Sequence, residues 1–328
     1  GGAVVTWPDD WAGRYRITEV DRQVFSGVLT AGVEVIPRVR LGGGLVYYYT
    51  RETLTQHAWM APFAANPTDP TTWNPALPDA VATIDANGGA LSFDVSAEVQ
   101  PFPDLPLTFA VDYKHKATQE LDGDVQWEGL TPVAQGLLLA GIPEAQIFAN
   151  QGAGQTLTIP NTLNVGVAYR VTKPLLLTAT YTWDRWVVYD EDVFTGDNGA
   201  QIPVERNYTN GFTVRAGVEY DVNPKFTVRA GLQRDQSGLD EAHYSPTLPD
   251  ASSWAGSLGA TYRFGGGLSV DAAVFYAMMD EVNVPESAAG NEPPASALLE
   301  GELTPTGTFR GSYDISALVY GVSLGWTP

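Results

Sequence analysis

The stretch NYTNGFTVRAGVEYDVNPKFTVRAGLQRD, residues 207–235, contains the phrase FTVRAG twice, fourteen positions apart. In each half, apolar and aromatic residues alternate with polar ones, which is the period-two pattern of a β-strand. Val214 and its apolar neighbours fall on one face, and Arg215 falls on the other. The Asn-Pro-Lys segment between the halves favours a tight turn. The stretch therefore predicts a β-hairpin and leaves open which face meets water.

Composition narrows the class of protein. The chain has 328 residues without a linker or a low-complexity tract, which favours one domain over residues 1–328. No run of about 18 apolar residues is present, which excludes a helical membrane span. The net charge of −20 argues against nucleic acid as a partner, and the absence of cysteine excludes thiolate metal sites. We expect no metal and no cofactor.

The same alternation recurs along the whole chain and predicts about eleven strands, most of them longer than the five or six residues usual in soluble sheets. The alternating segments are 25–35, 39–49, 91–99, 105–113, 163–169, 175–183, 208–222, 226–232, 254–264, 268–276 and 318–326.

The connections between these strands alternate in length. Short turns fall at Pro37, 101–106, 172–174, 223–225 and 265–267, and long segments separate them, above all residues 53–90 and 121–161. Long strands with short turns at one rim and long loops at the other are typical of an outer-membrane β-barrel. A soluble sandwich rarely needs such strands or so one-sided a division of loop lengths. We therefore predict an all-β, transmembrane antiparallel barrel in a Gram-negative cell outer membrane, with a wet interior.

The number of predicted strands bears on how the N-terminal part of the chain is interpreted. If the short turns face the periplasm, the first predicted strand runs inward from the cell surface and the last one ends at the periplasmic rim. Bacterial barrels normally have an even number of strands, so at least one strand is expected before residue 1. Residues 1–21 are then an outer loop and a lead-in.

Several segments resemble the FadL/TodX family of outer-membrane transporters of long-chain fatty acids and other hydrophobic compounds. They occur in the same order from residue 7 to the C-terminal part of the chain, and no single one is decisive. The segments are WPDDWAGRY (7–15), PLTFAVDYKHKA (106–117), LTIPNTLNVGVAYRV (157–171), TATYTWDRW (178–186), FTVRAGLQRDQSG (226–238), YSPTLPD (244–250) and GATYRF (259–264).

The resemblance implies a fourteen-stranded barrel with an N-terminal hatch, of which about eleven strands are visible here while the hatch and the first strands are absent. It implies passive uptake of hydrophobic compounds, captured by extracellular loops and passed through the lumen. The partners would be membrane lipids, lipopolysaccharide, a fatty acid or another hydrophobic ligand, and other envelope proteins. A structural or surface-complex barrel without transport activity is the alternative.

Two sets of candidate site residues follow. Apolar side chains in the predicted outer loops need either a mini-core of their own or a hydrophobic ligand, and both interpretations stay open. These loop residues are Trp59, Met60, Phe63, Trp73, Leu77 and Leu138.

Inside the barrel, a carboxylate ligand would need a cation without a fixed partner. By parity the candidates are Lys114 and Lys116, two apart on one face, together with Arg215 and Arg229.

An enzyme is the second class to weigh. The chain has three histidines, and parity places His115 on the outer face while His57 and His243 fall in separate loops. A catalytic serine would also need a base, an orienting acid and an oxyanion hole. We therefore predict a protein that is not an enzyme.

Overall fold

The computed structural model describes residues 2–11, 13–15, 17–199, 201–239, 244, 249–284 and 311–326. Nearly all of its regular structure is β-strand. The bounds are β1 (Gly2–Thr6), β2 (Glu19–Ile36), β3 (Val39–Ala58), β4 (Ala80–Val99), β5 (Leu107–Lys114), β6 (Ala117–Glu128), β7 (Gln151–Ile159), β8 (Thr162–Thr172), β9 (Leu175–Asp184), β10 (Glu191–Gly196), β11 (Gln201–Glu205), β12 (Gly211–Asn223), β13 (Phe226–Gln236), β14 (Ser253–Arg263), β15 (Leu268–Met279), β16 (Val282–Val284), β17 (Gly311–Tyr313) and β18 (Ser316–Trp326).

All strands except the small β16–β17 hairpin belong to one antiparallel sheet. Its main path runs β2, β3, β4, β5, β8, β9, β12, β13, β14, β15, β18, and β1 pairs with the first residues of β2. These eleven long strands confirm the strands expected from the alternation. Among the described residues no ladder joins β18 to β1 or β2, so the main path has two free ends, and a branch from β4 runs through β6, β7 and β10 to β11.

The short turns lie where the sequence predicts them. Residues 37–38, 100–106, 173–174, 224–225 and 264–267 connect neighbouring strands at one end of the sheet. In the β12–β13 hairpin, the Asn223 Oδ1 accepts hydrogen bonds from the backbone N–H groups of Lys225 and Phe226, at 2.9 and 3.0 Å. This side-chain turn lets a two-residue loop reverse the chain.

In the part of the sheet that is nearer the short turns, the outward face is apolar. We call this part the membrane band: residues 39–49 of β3, 89–99 of β4, and the whole of β5, β8, β9, β12, β13, β14, β15 and β18. Its outward side chains are exposed, as for Leu91 at 72% and Val322 at 75%. Apolar side chains that stand this far open on one continuous face need lipid around them.

Four strands continue beyond the membrane band at the end opposite the short turns. We call this part the outer wall: residues 51–58 of β3, 80–87 of β4, β6 and β7. The prediction that residues 53–90 and 121–161 are loops is wrong over these stretches. They form ladders because the outward residues are mostly polar and the inward ones mostly small or apolar, with Glu52, Gln119 and Gln155 as buried polar exceptions, so the alternation survives with little contrast.

The connections of the outer wall contain the α-helix and several 3-10 helices. Residues 59–79 join β3 to β4 and contain two short 3-10 helices, Ala61–Ala64 and Pro70–Thr72. Helix α1 (Pro132–Leu139) and a 3-10 helix, Pro143–Phe148, lie between β6 and β7. In the described part of the chain no helix has the length and apolar character to cross a membrane.

Candidate functional site

The loops above β3, β4 and β6 fold into a compact cap with its own core. Phe63 packs edge-on against Phe148 with ring centroids 5.3 Å apart, and Trp127 packs edge-on against the same ring at 5.0 Å. Met60 and Ala134 complete this core and are fully buried. The Thr131 hydroxyl caps α1 and also donates to the Phe63 carbonyl at 2.8 Å, which fixes the helix to the 59–79 segment.

Some of the predicted loop residues form the core of the cap, and others lie nearer its surface, where a ligand could contact them. Met60 and Phe63 are buried in the cap core, and Leu138 packs against that core. These three side chains serve the mini-core and present little surface to a ligand. Trp59, Trp73 and Leu77 are only partly buried.

Trp59 and Trp73 form an aromatic pair in the cap. Their rings meet edge to face with centroids 5.7 Å apart, and the Trp73 Nε1–H donates to the Pro67 carbonyl at 3.2 Å. The indole polar group is thus satisfied inside the protein, and the two rings remain partly exposed. The pair is the part of the predicted capture surface that a hydrophobic ligand could reach.

The lumen-facing arginines of the membrane band have fixed partners. Arg229 Nε donates to a Glu219 oxygen at 2.7 Å, and its Nη1 donates to Thr261 at 2.6 Å. Arg215 donates to Gln233 and Thr182, each at 2.9 Å. Arg229 is therefore neutralised by an ion pair, whereas Arg215 is held by two uncharged groups and forms no ion pair with a described residue.

A bulge separates Lys114 from Lys116, so the alternation that predicted one shared face does not run unbroken through both residues. Between the pairs Asn87–Asp122 and Asp94–Lys114, β4 has six residues whereas β5 and β6 span seven. The extra residue is a bulge, and it reverses which parity faces inward. Lys114 faces the lumen opposite Asp94, while Lys116 lies at the bulge; within the described residues Lys114 forms no ion pair.

A buried polar network at the outer mouth was missed from the sequence. It centres on Asp192, which is fully buried at the start of β10. Arg206 Nη2 lies 2.8 Å from its carboxylate, Tyr189 donates at 2.7 Å, and Gln155 of β7 donates at 3.1 Å. Burial raises the pKa of Tyr189 to about 12, so its hydroxyl stays protonated and available as a donor. Charged residues in a predicted loop are normally solvated, and no sequence signal marked these as buried.

This network fastens the segment 186–208 across the inner wall. Tyr189 and Tyr208 pack against inward residues of three outer-wall strands, Ala86, Leu121 and Leu157. Nearby, Arg22 of β2 makes a two-pronged ion pair with Glu52 of β3, at 2.5 and 3.1 Å. Paired side chains therefore line the inner face of the sheet at its outer end.

Two histidines have identified contacts, and His243 lies outside the described residues. His115 stacks on Phe93 with centroids 4.8 Å apart, on the outward face as predicted. His57 Nδ1 lies 3.7 Å from Asp79, whose carboxylate also pairs with Arg14 at 2.8 Å. Both contacts are structural ones of the wall and the cap.

These observations define an antiparallel β-sheet of barrel type, with a lipid-facing exterior, a polar interior and a cap at the outer end. A sequence model of the family described as outer membrane protein transport protein (OMPP1/FadL/TodX) matches residues 2–327. The chain belongs to this family of outer-membrane transport proteins. It is accordingly a β-barrel protein of the cell outer membrane.

Individual relatives agree with this assignment. A putative outer membrane protein of Neisseria meningitidis serogroup B is 23% identical over 220 residues, which cover 64% of this chain and 46% of the relative. Outer membrane protein P1 of Haemophilus influenzae is 28% identical over 182 residues, 55% of this chain and 38% of the relative. The chain thus spans less than half the length of the curated relatives it matches.

Solved structures show the same fold. The crystal structure of a Pseudomonas aeruginosa FadL homologue superimposes with a TM-score of 0.82 at 22% identity, covering 99% of this chain and 72% of that one. The Ralstonia pickettii toluene transporter TbuX gives a TM-score of 0.58 at 15% identity, covering 86% of this chain and 69% of that one. The family is one of transport proteins rather than enzymes.

Proposed function

We propose that this protein mediates passive uptake of hydrophobic compounds, with long-chain fatty acids as the substrate class. Substrate would be captured at the cap, and the carboxylate end would be received in the lumen. Family membership and the toluene transporter among the structural relatives support the hydrophobic substrate. Lys114, which faces the lumen without an ion pair to a described residue, supports a substrate that carries a carboxylate.

The Trp59–Trp73 pair carries the capture step. An aromatic ring left partly open on a surface that faces water is costly unless a ligand or another surface covers it. The cap core is complete without these two rings, because it is built from Met60, Phe63 and Phe148. The pair is therefore free to contact substrate without disturbing the packing beneath it.

The test is uptake by a deletion strain that carries Trp59→Ser with Trp73→Ser. Burial of an aromatic side chain against a ligand is worth roughly 1.5 to 3 kcal/mol, so losing two should reduce uptake of a long-chain substrate by well over tenfold. Trp254→Ser, at an outward position of β14, removes an equally large ring away from the cap and should leave uptake unchanged. Heat-modifiable migration on gels reports that each variant is folded.

A structural barrel without transport activity is the second candidate. The observation in its favour is the paired, buried network of Asp192 and Arg206, which covers the outer mouth. Uptake by the double-serine variant equal to wild type, with folding shown, would place this candidate ahead. Such a barrel would serve as an attachment point for lipopolysaccharide or other envelope proteins, the partners expected at the outward face of the outer wall.

A further inference from the structure

The outward face of the sheet carries a polar recess where the membrane band meets the outer wall. The recess has a volume of about 320 Å³ and is formed by β2, β3 and β4. Two ladder rows of outward side chains line it: Asp21, Thr53 and Asp85 in one row, and Gln23, Arg51 and Asn87 in the other. Glu52 and Ala86 lie between these rows with their side chains buried on the inner face. The recess therefore opens to the outside of the barrel and is separate from the lumen.

Aromatic side chains lie directly beneath the recess, on the side of the membrane band. Phe25 and Tyr49 are partners in the next ladder row, and the Tyr49 hydroxyl donates to the Asn87 Oδ1 at 3.1 Å. The Tyr47 ring reaches up beside Gly89, because a Cβ at that glycine would lie 2.4 Å from the Tyr47 hydroxyl oxygen. Aromatic girdles mark the membrane–water interfaces of outer-membrane barrels. The recess therefore lies at the level of the lipid head groups.

The recess offers both hydrogen-bond donors and acceptors. The Asp21 carboxylate accepts from the Gln23 Nε2 at 3.1 Å, and the Asp85 carboxylate accepts from the Thr53 hydroxyl at 2.6 Å. Each carboxylate keeps further lone pairs for a ligand. The Arg51 guanidinium has no hydrogen bond or ion pair with a described residue, so its N–H donors are available. This mixture of groups suits the closely spaced hydroxyls of a sugar, each of which can both donate and accept.

The charges around the recess select a neutral head group. Asp122 and Asp124 of β6 are the next outward residues in the same two ladder rows. Together with the two carboxylates inside the recess, they outnumber the Arg51 cation. A phosphate group placed here would be repelled by the surplus of negative charge, whereas an uncharged sugar would not.

We propose that this recess binds the neutral sugar head group of a glycolipid in the membrane around the barrel. The acyl chains of the glycolipid would lie below it on the membrane band, against the exposed side chains of Leu29, Leu45 and Phe93, which share one ladder row. Because these chains anchor the lipid in the bilayer, the head group is present at a high effective concentration, and a few exposed hydrogen bonds suffice to hold it. The site lies outside the barrel and is independent of uptake.

Quenching of a fluorophore by brominated lipids tests this site. The chain has no cysteine, so Leu45→Cys can carry a single bimane label directly below the recess, and Leu232→Cys can carry it on β13, elsewhere on the lipid face. Each labelled protein is reconstituted in phosphatidylcholine bilayers that contain one dibrominated lipid. The brominated lipids share the same chains and carry a digalactosyl, a phosphocholine or a phosphoglycerol head group. The extent of quenching gives the relative affinity of each lipid for the surface around the label.

At residue 45, the digalactosyl lipid should bind about fivefold more tightly than either phospholipid, which corresponds to one net hydrogen bond. At residue 232, the three lipids should be equivalent. Asp85→Ala with Asn87→Ala should abolish the preference at residue 45. Gln126→Ala with Glu128→Ala removes the same two chemical groups from outward positions farther up the outer wall and should preserve it. Heat-modifiable migration on gels reports that each variant is folded.

Three results would overturn the site: equal affinity of the three lipids at residue 45, tighter binding of the phosphoglycerol lipid there, or the same preference at residue 232. A preference that survives Asp85→Ala with Asn87→Ala would also overturn it. Soluble digalactosylglycerol in excess should leave the preference in place, because it lacks the chains that concentrate the head group at the surface. Loss of the preference in its presence would show that the recess takes a free saccharide and would overturn the assignment to a lipid.

Discussion

The membrane band and the outer wall are both built from antiparallel ladders, but their apolar side chains lie on opposite faces of the sheet. In the band, outward residues such as Leu91 are apolar, and inward residues such as Arg229 are charged and paired. In the wall, outward residues such as Asp122 are charged and exposed, and inward residues such as Leu121 are apolar and buried. The bulge between β5 and β6 lies where one arrangement gives way to the other.

The difference has a simple physical origin. Lipid surrounds the band, so apolar groups face out and the polar groups collect in the lumen. Water surrounds the wall, and the cap together with the Tyr189 and Tyr208 side chains covers its inner face, so the wall behaves as one layer of a soluble sandwich. Alternation along a strand therefore identifies a sheet with two unlike faces, and the solvent decides which face is apolar.

The largest expected effect comes from placing a charge on the wrong face of the wall. Leu121→Arg should destabilise the wall by about 5 kcal/mol, because it removes a packed leucine and buries an unpaired cation. Asp122→Arg, one residue away on the exposed face, should change stability by less than about 0.5 kcal/mol. Urea unfolding in detergent micelles or bilayers, followed by tryptophan fluorescence, measures both; similar losses for the two variants would contradict the assignment of faces.

The buried network at the mouth should give the next largest effect. Asp192→Ala removes the buried carboxylate that pairs with Arg206, which should cost about 3 to 5 kcal/mol locally. We expect the 186–208 segment to detach while the membrane band stays folded. Limited proteolysis of intact cells should then cut this segment in the variant and spare it in wild type. Equal resistance of the two proteins would show that the ion pair does not hold the segment.

In the membrane band, a charge should be costly at an outward position and tolerated at an inward one, the reverse of the outer wall. Ala179→Arg places a cation at an outward position near the middle of β9 and should cost about 2 to 4 kcal/mol in bilayers. Thr178→Arg, at the adjacent inward position, should cost far less because the lumen is polar. Refolding into liposomes compares the two, and an equal cost would abolish the distinction between band and lumen.

The smallest effect concerns Lys114, which forms no ion pair with a described residue. Lys114→Gln should reduce uptake of a long-chain fatty acid by about tenfold, because the carboxylate loses a charge-assisted hydrogen bond. Uptake of a neutral hydrocarbon of the same length should not change. Lys173→Gln, in the turn between β8 and β9, is the control, and an identical drop for both substrates would count against carboxylate recognition at Lys114.

The membrane band was predictable from the sequence for a physical reason. Its outward residues are large and apolar, as in the FTVRAG repeats, so the alternation has high contrast and the strands and turns follow from it. The outer wall was not predictable in this way. Residues 80–87 place alanines inward and threonine, aspartate and asparagine outward, which resembles a polar loop.

The candidate site was predictable only in part. Composition identified the aromatic residues of the cap. It could not divide them between core and surface, because the burial of Phe63 and the partial exposure of Trp73 depend on which side chains pack against them. Parity counted from the sequence predicted one face for Lys114 and Lys116, but it could not reveal the extra residue at the bulge, which interrupts the alternation between them. The Asp192 network depends on contacts between strands far apart in the chain.

The most direct test of the inverted faces is a cysteine scan along the outward positions of β4. The chain contains no cysteine, so each variant carries one attachment point for a spin label. Labels at residues 85, 87, 89, 91, 93 and 95 would be measured in bilayers for accessibility to oxygen and to a water-soluble nickel complex. We predict that nickel dominates at Asp85 and Asn87 and oxygen dominates at Leu91, Phe93 and Val95, with the crossover near Gly89. Oxygen-dominated relaxation at Asp85, or nickel-dominated relaxation at Leu91, would contradict the boundary between the membrane band and the outer wall.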